Sequence, residues 1–255
     1  MRPSIQFFGV AAYQITTSEG KNVLIDPFLN QNVYSPVKVQ DLQRVDLMLI
    51  THNAFDHLGD APEIIRQHRC PVICAKDVLH NLVKVHGIDP DLFRVTIWGM
   101  VIKEAGVRVR PVESHHWSFG VTPDGQLLSG PAMGFIVEAA PDVRVYHPGD
   151  TALTYDMKLW GELYKPTVGL MHVTLPEGEG ISLPHMECYQ SGELTPYEAL
   201  LASQWLGLDH IVASHYVDPE CEDVMHFRQL VQAAYPDGEA MPRLTVLKPG
   251  ETLEL

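Results

Sequence analysis

The chain has 255 residues, 45% of them apolar and 20% charged, a composition typical of a globular protein that needs no disulfide staples. Its 18 lysines and arginines against 32 acidic residues give a formal net charge of −14. This charge argues against a nucleic acid as partner, because phosphate backbones are bound by basic faces. No repeat, low-complexity tract or linker is present, so we expect a single domain over residues 1–255.

The N-terminal stretch MRPSIQFFGVAAYQ lacks the continuous apolar segment and the cleavage site of a signal peptide. No apolar run approaches the roughly 18 residues that a bilayer crossing requires. The four cysteines form no Cys-x-x-Cys pair and are too few to make a disulfide scaffold in a chain of this length. We therefore expect a cytoplasmic protein that does not contact the membrane.

Strand-like segments separated by turn residues fill the N-terminal part of the chain. They cover residues 4–10, 12–18, 21–28 and 45–52, and the last is apolar enough to be buried on both faces. Asp60, Pro62 and Glu63 then predict a capping box and a helix to about His68. A strand at 71–75 and a helix at 76–87, which ends at a glycine, follow.

The middle of the chain is rich in strand patterns, and the last third alternates helix and strand. Strands are predicted at 93–99, 106–113, 130–139 and 142–150. Thr195, Pro196 and Glu198 predict a helix start, and Gly207 predicts its end. A strand at 210–216 and a helix at 223–235 complete the pattern. Two blocks of strands, each followed by helices, predict an α/β fold, a four-layer αββα sandwich of two packed sheets.

Four strands that are distant in the sequence each end in residues of a metal-binding type. These ends carry His52, the pair His115 and His116, Asp150, and His215. Sites in α/β folds lie outside the carboxyl ends of strands, so we expect these side chains to converge. Asp56 and His57 follow His52 on a tight loop, from which both side chains reach one ion. Imidazole with carboxylate suits zinc, iron, manganese or nickel.

The order of these residues resembles the metallo-β-lactamase superfamily, whose signature is His-x-His-x-Asp-His, followed by a later His, an Asp and a final His. The segments NVLIDPF, VDLMLITH, DHLGDAPEI, HPGDTAL and ASHY fall in the expected order over nearly the whole chain. Within the superfamily, they are most similar to the metal-dependent hydrolases related to L-ascorbate-6-phosphate lactonase. The resemblance implies one or two divalent ions, with zinc or manganese favoured over iron or nickel.

The resemblance also implies two ligand sets that share one carboxylate. The first set is His52, His116 and Asp150, and the second is Asp56, His57, Asp150 and His215. The chain departs from the signature at Ala54, which cannot bind a metal. We therefore expect a weakened first site and an intact second site, and whether one ion binds or two is open. Asn53 is a weaker candidate for the missing ligand.

Several neighbouring residues have two readings. Successive strand residues point to opposite sides, and the segment His-Trp-Ser favours His116 over His115 as the ligand. Asp26 resembles a family aspartate near the site and either supports a ligand histidine or ends a turn before Pro27. His147 and His172 both lie near strand ends at the site, and the role of His172 is open.

Two residues are expected to take part in catalysis. Asp56, as ligand and acceptor, orients a metal-bound hydroxide, and His185 protonates a leaving group or binds substrate from the Gly- and Pro-rich loop 175–194. The leading hypothesis is a metal-dependent hydrolase of a small-molecule ester or lactone, of the phosphorylated-sugar type. The alternatives are a phosphodiesterase for nucleotide or phospholipid-headgroup substrates, based on His-Trp-Ser, and a non-catalytic metal-binding protein. Assembly as a homo-oligomer is compatible with the sequence.

Overall fold

The computed structural model describes residues 1–174, 192–235 and 241–255. Within these ranges the strands form two seven-stranded sheets. The first sheet contains β1 (Ser4–Gly9), β2 (Ala12–Thr16), β3 (Asn22–Ile25), β4 (Leu47–Leu49), β5 (Val72–Cys74), β6 (Phe93–Val95) and β14 (Thr252–Glu254). The second contains β7 (Ile102–Glu104), β8 (Val107–Val121), β9 (Leu127–Ala140), β10 (Val143–His147), β11 (Val168–His172), β12 (His210–Ser214) and β13 (Arg243–Thr245).

Helices flank both sheets, and the predicted α/β sandwich of two packed sheets is confirmed. The α-helices are α1 (Phe55–Leu58), α2 (Ala61–His68), α3 (Lys76–Lys84), α4 (Asp156–Tyr164), α5 (Pro196–Leu206) and α6 (Glu222–Ala234). Short 3-10 helices lie at Val39–Asp41 and Pro90–Leu92. The longest helix of the described ranges has 13 residues, and none there combines the length and the apolar character that crossing a membrane demands.

Each sheet is antiparallel at one end and parallel at the other. The first has the order β14-β1-β2-β3-β4-β5-β6, and its strands from β3 to β6 run parallel. The second has the order β13-β12-β11-β10-β9-β8-β7, and its strands from β10 to β13 run parallel. Because parallel strands present their carboxyl ends at the same edge, the loops after β3 and β4, and those after β10, β11 and β12, emerge beside one another within each sheet.

Alternation along the strands divides the core in two. In β4, Leu49 packs in the cluster between the sheets with residues such as Phe135 of β9. Its neighbour Met48 belongs to a second cluster with Ile64 of α2 and Leu82 of α3. Successive strand side chains point to opposite faces, so a continuous apolar strand serves both the inner core and the outer helix layer. β4 is therefore fixed on both faces, and so is the loop that follows it.

Strand β8 is longer than the sequence pattern predicts. It does not end at His115 and His116 but continues to Val121 and pairs with β9 over its length. The pairing register shifts between Glu113 and Trp117, which indicates a β-bulge. Bulges re-aim side chains at sites within a strand, so the two histidines lie at an irregularity in mid-strand and not at a strand end.

The helix starts show one wrong and one confirmed prediction. α2 begins as predicted, but the capping box is absent, because the Asp60 carboxylate accepts hydrogen bonds from the backbone N–H groups of Leu29 and Asn30 instead. At α5, Thr195 and Glu198 form the complete reciprocal capping box. This helix also ends at the predicted residue, Gly207, whose φ of 65° is left-handed.

Candidate metal centre

The loop after β4 is held by Asp26, which follows β3. The Asp26 carboxylate accepts hydrogen bonds from the Thr51 backbone N–H at 2.9 Å and from the Thr51 hydroxyl at 2.7 Å. It also lies 2.7 Å from Nδ1 of His57. Asp26 adopts a left-handed φ of 46°, a strained conformation for a residue with a side chain and one that clusters at functional sites. The carboxylate thus joins the end of β3 to the loop after β4.

This network determines which ring nitrogens of two histidines face inward. Because the Thr51 hydroxyl donates to Asp26, it accepts from Nδ1–H of His52, 2.9 Å away. Nδ1–H of His57 is directed at Asp26 in the same way. Both rings therefore present an Nε2 lone pair on the opposite side, which is the arrangement typical of metal-binding histidines.

Asp150 lies at the centre of the site, three residues after β10. Its Oδ2 is 3.1 Å from Nε2 of His57, 3.7 Å from Nε2 of His52 and 3.9 Å from Nε2 of His116. The preceding Gly149 has a φ of 63°, and a side chain there would meet the Met133 carbonyl at 2.8 Å. Glycine is therefore required for the turn that brings the carboxylate inward.

The other oxygen of Asp150 faces the loop after β12. Oδ1 lies 3.5 Å from Nε2 of His215, and Oδ2 of Asp56 lies 3.8 Å from the same nitrogen. Nδ1 of His215 is 3.1 Å from Oε2 of Glu193, so the other ring nitrogen, Nε2, is the one that faces Asp150. His215 is the second non-glycine residue of the centre with a left-handed φ, at 65°.

The inward-facing atoms are buried without the hydrogen bonds that such atoms require. Within the described residues, no hydrogen-bond partner is present for Nε2 of His52, His57 and His215, for Oδ1 of Asp150, or for either ring nitrogen of His172. Buried polar groups in native proteins are almost always paired. Lone pairs that converge on carboxylate oxygens repel unless a cation or a proton lies between them, so the donor set fits a metal ion.

Among the described residues, three groups of side chains are close enough to bind an ion, with one ligand atom of each member within 4.8 Å of the others. Two of them, His52 with His116 and Asp150, and Asp56 with His57 and His215, contain all six residues predicted as metal ligands. The third group is Asp150, His172, Glu193 and His215. Sequence reasoning missed Glu193, whose only signal is its position two residues before the Thr195 cap.

The charges and the burial of the centre shift the pKa values of its histidines in opposite directions. Burial opposes protonation of His57, but the carboxylates of Asp150, Asp56 and Asp26 outweigh it and hold its pKa well above the ordinary value. At His215, burial is likewise outweighed by Glu193 and Asp150, and the pKa is raised. In the metal-free protein, protons therefore occupy part of the space between the carboxylates and the imidazoles.

The other histidines of the cluster remain neutral. Burial and the neighbouring charge of His57 lower the pKa of His52 well below its ordinary value. Burial is also the main cause of the lowered pKa of His116 and of the fall at His172 to about 3. A neutral imidazole is the form that binds metals, so these three rings are ready to coordinate without losing a proton.

The Asn53 side chain does not replace the metal ligand that is missing at position 54. Its amide donates to Asp77 at 2.8 Å, and its carbonyl oxygen accepts from Asn81 at 3.1 Å. Ser118 also donates to Asp77, and its hydroxyl accepts from the Asn53 backbone N–H. Both polar ends of the Asn53 side chain are therefore engaged on the α3 side, away from Asp150. The idea of a compensating amide oxygen is wrong.

The remaining histidines considered from the sequence do not join the cluster in the described structure. His115 lies outside the cluster, with its side chain 47% exposed and its Nε2 3.8 Å from Glu113. His147 is buried, but Nε2 contacts the Ala11 carbonyl at 2.9 Å and Nδ1 accepts from the Gly149 N–H, so it is a satisfied core histidine. His185 lies outside the described residues, and its predicted catalytic role stays a prediction.

Comparison with known proteins gives the family. A model of the β-lactamase superfamily domain matches residues 21–216. A UPF0173 metal-dependent hydrolase of Rubrobacter xylanophilus is 35% identical over 83% of this chain and 81% of its own length. Another from Methanobrevibacter smithii is 31% identical over 98% of this chain and 96% of its own. The chain therefore belongs to the metallo-β-lactamase superfamily, in the UPF0173 family of metal-dependent hydrolases.

A solved structure agrees with this assignment. Igni18, a metallo hydrolase from the archaeon Ignicoccus hospitalis, superimposes with a TM-score of 0.76 and is 26% identical, with 100% of this chain and 99% of that chain covered. The agreement extends over both sheets and their helices, so the centre described above lies in the same fold as that hydrolase.

Proposed function

We propose that this enzyme hydrolyses a small-molecule ester or lactone, of the phosphorylated-sugar type, at the metal centre around Asp150. The observation that carries the proposal is the set of buried, unpartnered imidazole nitrogens that converge on one carboxylate. The lactone is inferred from the sequence resemblance to enzymes related to L-ascorbate-6-phosphate lactonase. We further propose that the protein is cytoplasmic and takes zinc or manganese in preference to iron or nickel.

In this proposal the ligands are the six residues of the two predicted sets. A bound divalent ion lowers the pKa of water and polarises the oxygen of the scissile bond. Asp56 is the carboxylate of the cluster nearest to solvent, with its side chain 19% exposed against 5% for Asp150. It is therefore placed to accept a hydrogen bond from the attacking water and to orient it, while Asp150 holds the centre together.

Exposed aromatic side chains beside the centre support an organic substrate. Phe55, next to Asp56, is 57% exposed and stands edge-on to Phe28. Trp117, next to His116, is 42% exposed and stands edge-on to the His116 ring. Aromatic rings offer apolar contact area at low entropic cost. A substrate with an apolar or sugar-ring portion would contact such a surface, with its ester at the ligands.

The test is a panel of chromogenic and natural esters assayed with the protein loaded separately with Zn²⁺ and Mn²⁺. We expect turnover of lactones or carboxylic esters, no turnover after chelation, and recovery when the same ion is restored. Asp56→Asn should lower kcat by about 100-fold or more, because general acid–base and orienting groups contribute on that scale. The exposed variant His115→Ala should keep the parent activity.

The alternatives are separate outcomes of the same panel. Turnover of bis-p-nitrophenyl phosphate without turnover of lactones and esters would identify a phosphodiesterase. The serine of the His-Trp-Ser segment gives that reading no support, because Ser118 is buried and hydrogen-bonded to Asp77. Failure of the fully metallated protein on every ester, lactone and phosphodiester would instead favour a non-catalytic metal-binding protein.

A further inference from the structure

Two buried histidines at neighbouring strand ends differ in how their ring nitrogens are used. His147 ends β10 and His172 ends β11, the adjacent parallel strand, and both are 0% exposed. Both ring nitrogens of His147 have backbone partners. Within the described residues, neither ring nitrogen of His172 makes a hydrogen bond. Such a group costs stability unless it has a partner, which indicates that His172 binds a ligand that the described protein atoms do not supply.

The surroundings of His172 specify a cation as that ligand. Its Nδ1 lies 3.2 Å from Oδ1 of Asp150, the carboxylate oxygen that also faces Nε2 of His215 at 3.5 Å. The rings of His172 and His215 stack, with centroids 4.5 Å apart and an interplanar angle of 23°. One oxygen and two parallel imidazole edges thus face a common space. Imidazole and carboxylate donors in this combination suit a first-row divalent ion.

Glu193 completes the arrangement from the segment before α5. Its Oε2 lies 3.1 Å from Nδ1 of His215, so its charge is placed beside the ring edge that faces away from Asp150. One ligand atom of Glu193 also lies within 4.8 Å of those of Asp150, His172 and His215. Asp26 holds His57 on the opposite side of the centre in the same way. The β11 and β12 side of the centre and the signature loop therefore each have a carboxylate beside Nδ1 of a candidate ligand histidine.

We propose that His172 is an additional metal ligand of this centre, which binds an ion together with Asp150 and His215 and so moves ligation away from position 54. The inference rests on the proposed metal-dependent function and deepens it. With His172 included, the centre has as many imidazole ligands as a complete signature provides. His172 takes the place of the signature histidine that is absent at position 54. The ion next to β11 and β12 is then the more tightly bound one.

The experiment compares Zn²⁺ binding to metal-free parent protein, His172→Asn and the control His115→Ala, each by titration against a chromophoric chelator. Asparagine retains an N–H donor close to the position of Nδ1 but is a poor metal ligand. If His172 binds the ion, His172→Asn weakens the tighter Zn²⁺ by about 100-fold or more, above the 10- to 100-fold typical of outer partners. If His172 only hydrogen-bonds Asp150, His172→Asn binds Zn²⁺ like the parent and the proposal is overturned.

A measurement on the unaltered chain decides the matter if the variant fails to fold. Protein labelled with ¹⁵N-histidine and loaded with ¹¹³Cd²⁺ shows a scalar coupling on each ring nitrogen bound to cadmium. The resonances of each histidine ring are assigned individually, so the coupled rings are identified by residue. A cadmium coupling on a ring nitrogen of His172 supports the proposal, and its absence from the cadmium-loaded protein overturns it.

Failure of this inference differs from failure of the proposed function. Parent protein that binds no Zn²⁺ and hydrolyses nothing refutes the function, and with it the inference. Parent protein that binds Zn²⁺ and hydrolyses esters, with His172→Asn indistinguishable from it in affinity, refutes only the role of His172.

Discussion

The β4 side and the β12 side of the metal centre each have a carboxylate beside a histidine, but they differ in the candidate ligands that they contribute. On the β4 side, Asp26 holds His57 by its Nδ1 at 2.7 Å. On the β12 side, Glu193 holds His215 by its Nδ1 at 3.1 Å. The β4 side lacks a histidine at Ala54, whereas the β12 side has an extra buried imidazole, His172. The effect of Ala54 on metal binding therefore depends on all the donors around Asp150 and not on the signature loop alone.

The greatest loss is expected at Asp150, whose carboxylate faces the histidines of both sides. Asp150→Asn removes the charge that offsets the ions and leaves five imidazoles, from four segments, without a common anion. We expect complete loss of hydrolysis and of bound metal, measured by ester assay and elemental analysis. Asp142→Asn is the matched control, because Asp142 is exposed and lies immediately before β10. This variant should behave like the parent. Retained metal in Asp150→Asn would contradict a central role for this carboxylate.

The supporting carboxylates test whether the two sides are equivalent. Asp26→Asn and Glu193→Gln each remove a carboxylate beside Nδ1 of a candidate ligand histidine, and outer partners of this type contribute about 10- to 100-fold to metal affinity. We expect losses of that size in Zn²⁺ titrations. If His215 binds the tighter ion with His172, as inferred above, Glu193→Gln affects that ion and Asp26→Asn the ion bound through His57. Equal effects of both variants on a single ion would show that the sides do not act separately.

The pH dependence of metal binding follows from the two protonated histidines. The pKa values of His57 and His215 are raised in the metal-free protein, so both rings are in the charged imidazolium form at and somewhat above pH 6.5. Each must lose one proton to bind an ion. Zn²⁺ affinity is therefore lowest in acid and rises with pH through the raised pKa values, by up to about tenfold per pH unit for each proton released. His52 and His116, with lowered pKa values, contribute nothing in this window.

Measurement of Zn²⁺ affinity from pH 5.5 to 8.5, in buffers that do not bind zinc, checks this sign. The same pKa shifts predict that stability of the metal-free protein gained from these two protons is present below the unfolded pKa and is lost as pH rises through the folded ones. An affinity that is flat or that falls with pH would show that no proton leaves on binding.

The smallest expected effect is a gain at the signature loop. Ala54→His should raise occupancy beside His52 and His116, because it restores the missing imidazole. Ala54→Leu, which adds bulk without a donor, is the control. Elemental analysis at a fixed low Zn²⁺ concentration should show more metal in Ala54→His only. If the parent already holds two tightly bound ions, Ala54 is not a handicap.

Much of the fold could be predicted from the sequence because it follows from local patterns. Alternation located the strands, and Thr195 with Glu198 located a helix start that the structure confirms. The six candidate ligands stood out by residue type and order, and the structure brings them close together. The bulge in β8 was missed because a register shift depends on the pairing of β8 with β9, which local alternation does not encode.

Other features depended on partners distant in the chain. Asp60 carries a capping pattern, but it binds the backbone of Leu29 and Asn30, which only the tertiary fold brings near. His147 and His172 look alike in sequence, and only their surroundings separate a satisfied histidine from an unsatisfied one. Glu193 was missed for the same reason, since its contact with His215 joins the segment before α5 to the loop after β12.

The most direct test of the account is the metal content of the unaltered protein, purified without added metal and analysed for zinc, manganese, iron and nickel together. The convergence of buried, unpartnered nitrogens on Asp150 predicts at least one tightly bound ion per chain, which survives dialysis and leaves only with a strong chelator. Protein that is folded and free of all four metals, and that takes up none when they are supplied, would contradict it.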